Sequence, residues 1–101
     1  MLGNPQRAAT FRAHELRREG GRWLKEKREQ ANLSQRQLAA NVGAEYYTLI
    51  SQLETGRGRV ASDRYLVWSE ALGVPHEEFV RAMLRFYDPV TYDILFSNPH
   101  S

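Results

Sequence analysis

Between Asn32 and Gly43 the chain carries signals to stop one helix, start another and stop that one too. Asn32 suits the left-handed exit of a helix. Leu33 follows as an apolar plug. Ser34 is then an N-cap candidate with Gln37 three residues on, the capping-box pattern. The helix it opens spans about Gln35 to Asn41, turns Leu38, Ala39 and Val42 inward, and is ended by Gly43. Such dense punctuation confines this part of the chain to short helices joined by tight turns.

A further helix is predicted over Glu45 to Glu54. Tyr46, Ile50 and Leu53 fall at i, i+4 and i+7, a stripe expected to be buried. Tyr47, Thr48, Ser51, Gln52 and Thr55 occupy its other face. They are uncharged and mostly hydrogen-bonding, where a plain solvated helix carries Glu and Lys. Two short helices around Val42-Gly43-Ala44 make a helix-turn-helix geometry. Gly56-Arg57-Gly58-Arg59 reads as a flexible basic loop.

The flanks are helical too. Gln6 to Glu19 reads as a marginal helix or basic arm, with Phe11, His14 and Arg18 at helical spacing, interrupted by Gly20-Gly21. Arg22 to Ala31 is a stronger helix, with Trp23, Leu24, Arg28 and Ala31 able to share one face. After the basic loop, Ser62 or Asp63 is expected to cap a helix to Leu72, with Leu66, Val67, Ala71 and Leu72 as its apolar residues, stopped by Gly73. Another helix opens at Pro75, with Glu77 and Glu78 at its positive end, and runs to Tyr87. Thr91 to Phe96 reads as a last helical turn, and the tail from Ser97 is expected to fray. Strand signals are weak.

The 101 residues fit one domain, and 42% hydrophobic with 26% charged residues is globular composition. No window reads as a membrane span, and Met1 to Thr10 shows no secretory signal. Cysteine is absent, which excludes disulfide scaffolds and thiolate sites and fits a cytoplasmic setting. Residues 1–60 hold 11 Lys and Arg against 6 Asp and Glu, a balance of +5, whereas residues 61–101 hold 3 against 6, a balance of −3. A basic first half points to a polyanion partner. His14, His76 and His100 are scattered, so no metal site is expected. No nucleophile, base and orienter assemble, so no catalytic residue and no cofactor are expected.

Five segments together carry a family resemblance: Leu24 to Arg28, Leu33-Ser34-Gln35 with Leu38-Ala39, Val42-Gly43, Ile50-Ser51-Gln52-Leu53-Glu54 with Gly56, and Ala71-Leu72-Gly73-Val74. The combination resembles the XRE (Cro/CI-type) helix-turn-helix family over about Arg22 to Phe79. The resemblance implies an all-α fold: a compact five-helix, lambda-repressor-like helix-turn-helix domain. It would occupy residues 21–87, preceded by a short N-terminal helix or arm (1–20) and followed by a C-terminal extension (88–101).

The resemblance also implies roles. The second helix would cross the phosphate backbone and the third would enter the major groove of double-stranded DNA. Tyr47, Thr48, Ser51 and Gln52 take base-facing positions, and Gln35, Arg36, Arg57 and Arg59 take phosphate-facing ones. Arg28 and Glu54 match a family ion pair. The residue chemistry suits groove readout: Gln52 can pair bidentately with adenine, and the Thr48 methyl can meet a thymine methyl. Two departures stand out. Between Gly43 and Glu54 the chain has one residue more than the usual family spacing, taken up either in the turn or by an earlier start of the third helix. Lys27 sits where many members carry leucine.

The resulting expectation is a cytoplasmic, sequence-specific transcriptional regulator that binds a two-fold operator as a homodimer. Phe79, Met83, Phe86, Tyr87, Tyr92, Leu95 and Phe96 are the expected dimer contact, because the last helices hold more apolar residues than one core-facing stripe can bury. The alternative keeps the fold and makes the chain an antitoxin or protein-interaction module whose C-terminal extension docks a protein partner.

Overall fold

In a computed structural model, which describes residues 5–97, α1 runs unbroken from Pro5 to Gln30. The expected interruption at Gly20-Gly21 is therefore corrected. A Cβ on Gly21 would stand 2.3 Å from the Glu54 carbonyl oxygen, and one on Gly20 would stand 2.9 Å from Phe86 Cβ. These glycines let α1 approach its neighbours closely; each costs helix propensity of about 1 kcal/mol relative to alanine, offset by the contact it permits. Residues 1–4 of the expected arm, and residues 98–101 of the expected fraying tail with His100, lie outside the described residues.

α2 spans Gln35–Val42 and is closed at both ends by local chemistry. The Gln37 N–H donates to Ser34 Oγ at 3.0 Å, and the Ser34 N–H donates back to Gln37 Oε1 at 2.8 Å. Gly43 adopts φ 70°, and the Ala44 N–H returns to the Ala39 carbonyl at 2.8 Å. Arg64 adds a hydrogen bond to the Val42 carbonyl, satisfying one of the last free acceptors of α2.

α3 spans Thr48–Glu54, so it begins three residues later than the sequence pattern predicts. The additional residue between Gly43 and Glu54 is held in a longer turn. Tyr46 is consequently not on the buried stripe: it lies before the helix starts and is 67% exposed. A 3-10 turn at Ser62–Arg64 leads into α4, Tyr65–Leu72. No side chain caps that turn, and Leu66 points outward instead of joining the core. α5 spans His76–Tyr87, with Glu77 and Glu78 in its first turn. The predicted last turn divides into α6, Pro89–Tyr92, and a π-helical turn at Asp93–Ser97. The described residues contain no strand.

The core gathers Leu24 of α1, Leu38 and Val42 of α2, Ile50 and Leu53 of α3, Trp68 and Leu72 of α4, and Phe79 and Met83 of α5. Trp23 packs its ring 5.7 Å from Phe79, and Lys27 bridges from that ring to Glu78 at 3.6 Å. The expected dimer contact is corrected at three positions. Phe79 and Met83 are fully buried in their own chain, and Phe86 nearly so. Tyr87 is held under Arg59, with its hydroxyl accepting from the Val60 N–H. Phe79, Met83 and Phe86 fill the domain's own interior, which a surplus count along one helix does not reveal.

Candidate nucleic-acid interface

α3 is anchored from behind. Its inner face buries Ile50, Leu53 and Glu54. A carboxylate so placed needs a partner, and Arg28 of α1 supplies it. Arg28 Nε donates to Glu54 Oε2 at 2.6 Å and Nη2 donates to Oε1 at 3.1 Å. Arg28 Nη1 also donates to the Leu33 carbonyl at 2.9 Å, holding the plug beside the α2 cap. The hydrogen bond to Glu54 raises the Arg28 pKa above its ordinary value, against the burial that would lower it. Gln35 donates its side-chain amide to Glu54 Oε1 at 3.1 Å, so α1, α2 and α3 meet on one carboxylate.

The outer face of α3 is left open. Thr48 and Gln52 are exposed and Ser51 is half-buried. None of these three side chains makes a hydrogen bond among the described residues. Thr55 differs, since its hydroxyl donates to the Ser51 and Gln52 carbonyls and closes the end of the helix. Tyr47 lies just before α3, with the Arg36 guanidinium 4.3 Å over its ring. Leu49 and Tyr46 are also exposed beside this face. The sequence pattern singled out neither as exposed, because the start of α3 decides their direction.

The basic loop lies next to α3. Gly56 takes φ 82°, and a Cβ there would stand 2.9 Å from the Arg18 backbone nitrogen, so the loop rests directly on α1. Arg57 and Arg59 are exposed. Arg59 lies 4.9 Å over the Tyr87 ring. Burial raises the Tyr87 pKa, against the opposing effects of the Val60 N–H and the charges of Arg59 and Arg17. Among the described residues no group of His, Cys, Asp or Glu gathers as a metal ion requires, and no helix is long and apolar enough to cross a membrane.

What this geometry presents is a rigidly backed helix with neutral donors and acceptors outward, bordered by arginines. Hydrogen bonds to base edges and charge neutralisation of phosphates need those two sets of groups side by side. A family model described as helix-turn-helix matches residues 24–79. The chain belongs to the XRE-type helix-turn-helix family. No curated protein matches the chain. The XRE-type family is a DNA-binding one whose domain is not an enzyme, and the matched segment contains α2, α3 and α4 whole. It leaves outside it α1 as far as Trp23 and everything beyond Phe79.

Proposed function

We propose that this protein is a sequence-specific transcriptional regulator that reads a two-fold operator in double-stranded DNA through α3. The observation that carries the reading is the outer face of α3, where Thr48, Ser51 and Gln52 keep their hydrogen-bonding groups free while Arg28 and Glu54 fix the helix from behind. With Tyr47 they make the base contacts. Arg36, Arg57 and Arg59 neutralise phosphates. Gln35 has its side chain committed to Glu54, so its phosphate contact runs through the backbone N–H of the first turn of α2.

A two-fold operator needs a two-fold protein. With Phe79, Met83 and Phe86 in the core, the pairing surface falls to Tyr92, Leu95 and Phe96 together with Val90 and Ile94. The site of action is the cytoplasm. The same exposed Val90, Ile94 and Leu95 favour, as a second reading, a protein partner docked at the C-terminal segment, as in an antitoxin. Sequencing of genomic fragments retained by the protein, followed by duplex titration at several salt concentrations, tests the first reading. Enrichment of one inverted repeat, bound less tightly as salt rises, supports it. Retention that is indifferent to sequence contradicts it.

A further inference from the structure

The buried face of α1 continues beyond the matched helix-turn-helix segment. Gly20, Gly21, Leu24 and Arg28 are all buried along it, and Arg17 stands four residues before Gly21 on the same face. Arg17 is half-buried, where α1 passes the basic loop: a Cβ on Gly56 would stand 3.0 Å from the Arg17 carbonyl carbon. Arg59 lies beyond that loop, over the Tyr87 ring. Arg17 of α1 and Arg59 of the basic loop thus belong to elements that meet beside Tyr87.

The charges in this patch are uncompensated. Arg18 is paired with Glu15, and Arg28 with Glu54. No carboxylate among the described residues pairs with Arg17, Arg57 or Arg59. A half-buried arginine ordinarily has a partner, and cations brought near one another repel unless an anion lies between them. The Tyr87 oxygen already accepts from the Val60 N–H at 3.3 Å, which leaves its proton free to be donated. Two guanidinium forks and one hydroxyl proton suit a phosphate group, whose oxygens only accept.

We propose that Arg17, Arg59 and Tyr87 form a phosphodiester-binding cluster, so that the N-terminal half of α1, outside residues 24–79, is part of the DNA-contacting surface. The inference rests on the DNA-binding reading above and extends the footprint beyond the helix-turn-helix itself. Its test is duplex binding by fluorescence anisotropy over a range of salt, for wild type, Arg17→Gln and Arg17→Lys, with circular dichroism melts as a folding control. Arg17→Gln should weaken binding to a selected genomic duplex and to a random duplex by the same factor. It should also reduce the slope of log K against log salt by about one, whereas Arg17→Lys should keep the slope. A folded Arg17→Gln with wild-type affinity and slope overturns the cluster. If Arg17→Gln does not fold, Tyr87→Phe decides, and an unchanged affinity for both duplexes overturns the cluster. A melting temperature raised by inorganic phosphate only in wild type, with duplex binding unaffected, overturns the assignment to DNA. Wild type that binds no duplex at any salt sinks the DNA-binding reading itself; selective wild-type binding with an unaltered Arg17→Gln slope sinks only the cluster.

Discussion

Arg28 grips both carboxylate oxygens of Glu54 through two nitrogens, at 2.6 and 3.1 Å, across 26 residues of sequence. Both side chains are almost wholly buried. Removing one partner strands the other's charge in a poorly hydrated place, at a typical cost of ~3–5 kcal/mol. Arg28→Ala should therefore lower the melting temperature by more than about 12 °C in a domain of this size. A loss below about 1 kcal/mol in denaturant titration would mean that water or a rearranged side chain replaces the pair.

Gly21 provides a second, independent stability test. An added methyl would meet the Glu54 carbonyl at 2.3 Å, and that atom is backbone at the end of α3. Alanine is the better helix former by about 1 kcal/mol, so local propensity alone predicts that Gly21→Ala stabilises the protein. The close approach predicts the reverse, a destabilisation of ~1–3 kcal/mol as overpacking pushes the two helices apart. A urea midpoint at or above that of wild type would show that α1 does not lie so close to α3.

The two cases differ in how visible they are in sequence. Ser34, Gln37 and Gly43 act on atoms within a few residues, so the bounds of α2 could be read almost to the residue. Gly20-Gly21 looks the same as a helix stop, because its reason is clearance from Glu54 and Phe86, each dozens of residues away. Tyr46 fits the periodicity of a buried stripe, and only the length of the turn before Thr48 takes it out of the helix. The apolar residues after Pro75 were countable, but their division between core and surface depends on where α1 crosses α5. At the candidate interface, the neutral face of Thr48, Ser51 and Gln52 was legible as chemistry. The commitment of Gln35 to Glu54 was not, since neither residue type announces it.

Tyr87 links stability to alkaline pH. Burial raises its pKa above the ordinary 10.0, so the folded protein keeps the proton when the unfolded chain has lost it. The corresponding stability is fully present below about pH 10 and is lost as pH rises through the higher folded value. Tyr87→Phe should flatten the fall in urea midpoint above pH 10. At neutral pH it should cost about 1 kcal/mol for the lost hydrogen bond from Val60. Parallel alkaline declines in the two proteins would contradict this.

The C-terminal segment carries the proposed pairing surface. Leu95 is 61% exposed, so Leu95→Asp should leave the domain folded while weakening self-association. Sedimentation at micromolar concentration should give a dimer for wild type and a shift toward monomer for the variant. A wild-type chain that stays monomeric in the presence and absence of operator DNA contradicts homodimer binding.

The central claim is that the outer face of α3 chooses the DNA sequence, and Gln52 carries the exposed side-chain amide of that helix. The most direct measurement is the affinity ratio between a selected genomic duplex and a scrambled duplex of equal length, at one salt concentration, for wild type and Gln52→Ala. A good bidentate contact to a base is worth ~1–3 kcal/mol of discrimination, so the ratio should fall roughly 5- to 150-fold while the melting temperature and salt slope stay at wild-type values. An unchanged ratio in a folded Gln52→Ala protein would contradict the reading of DNA sequence by this face of α3.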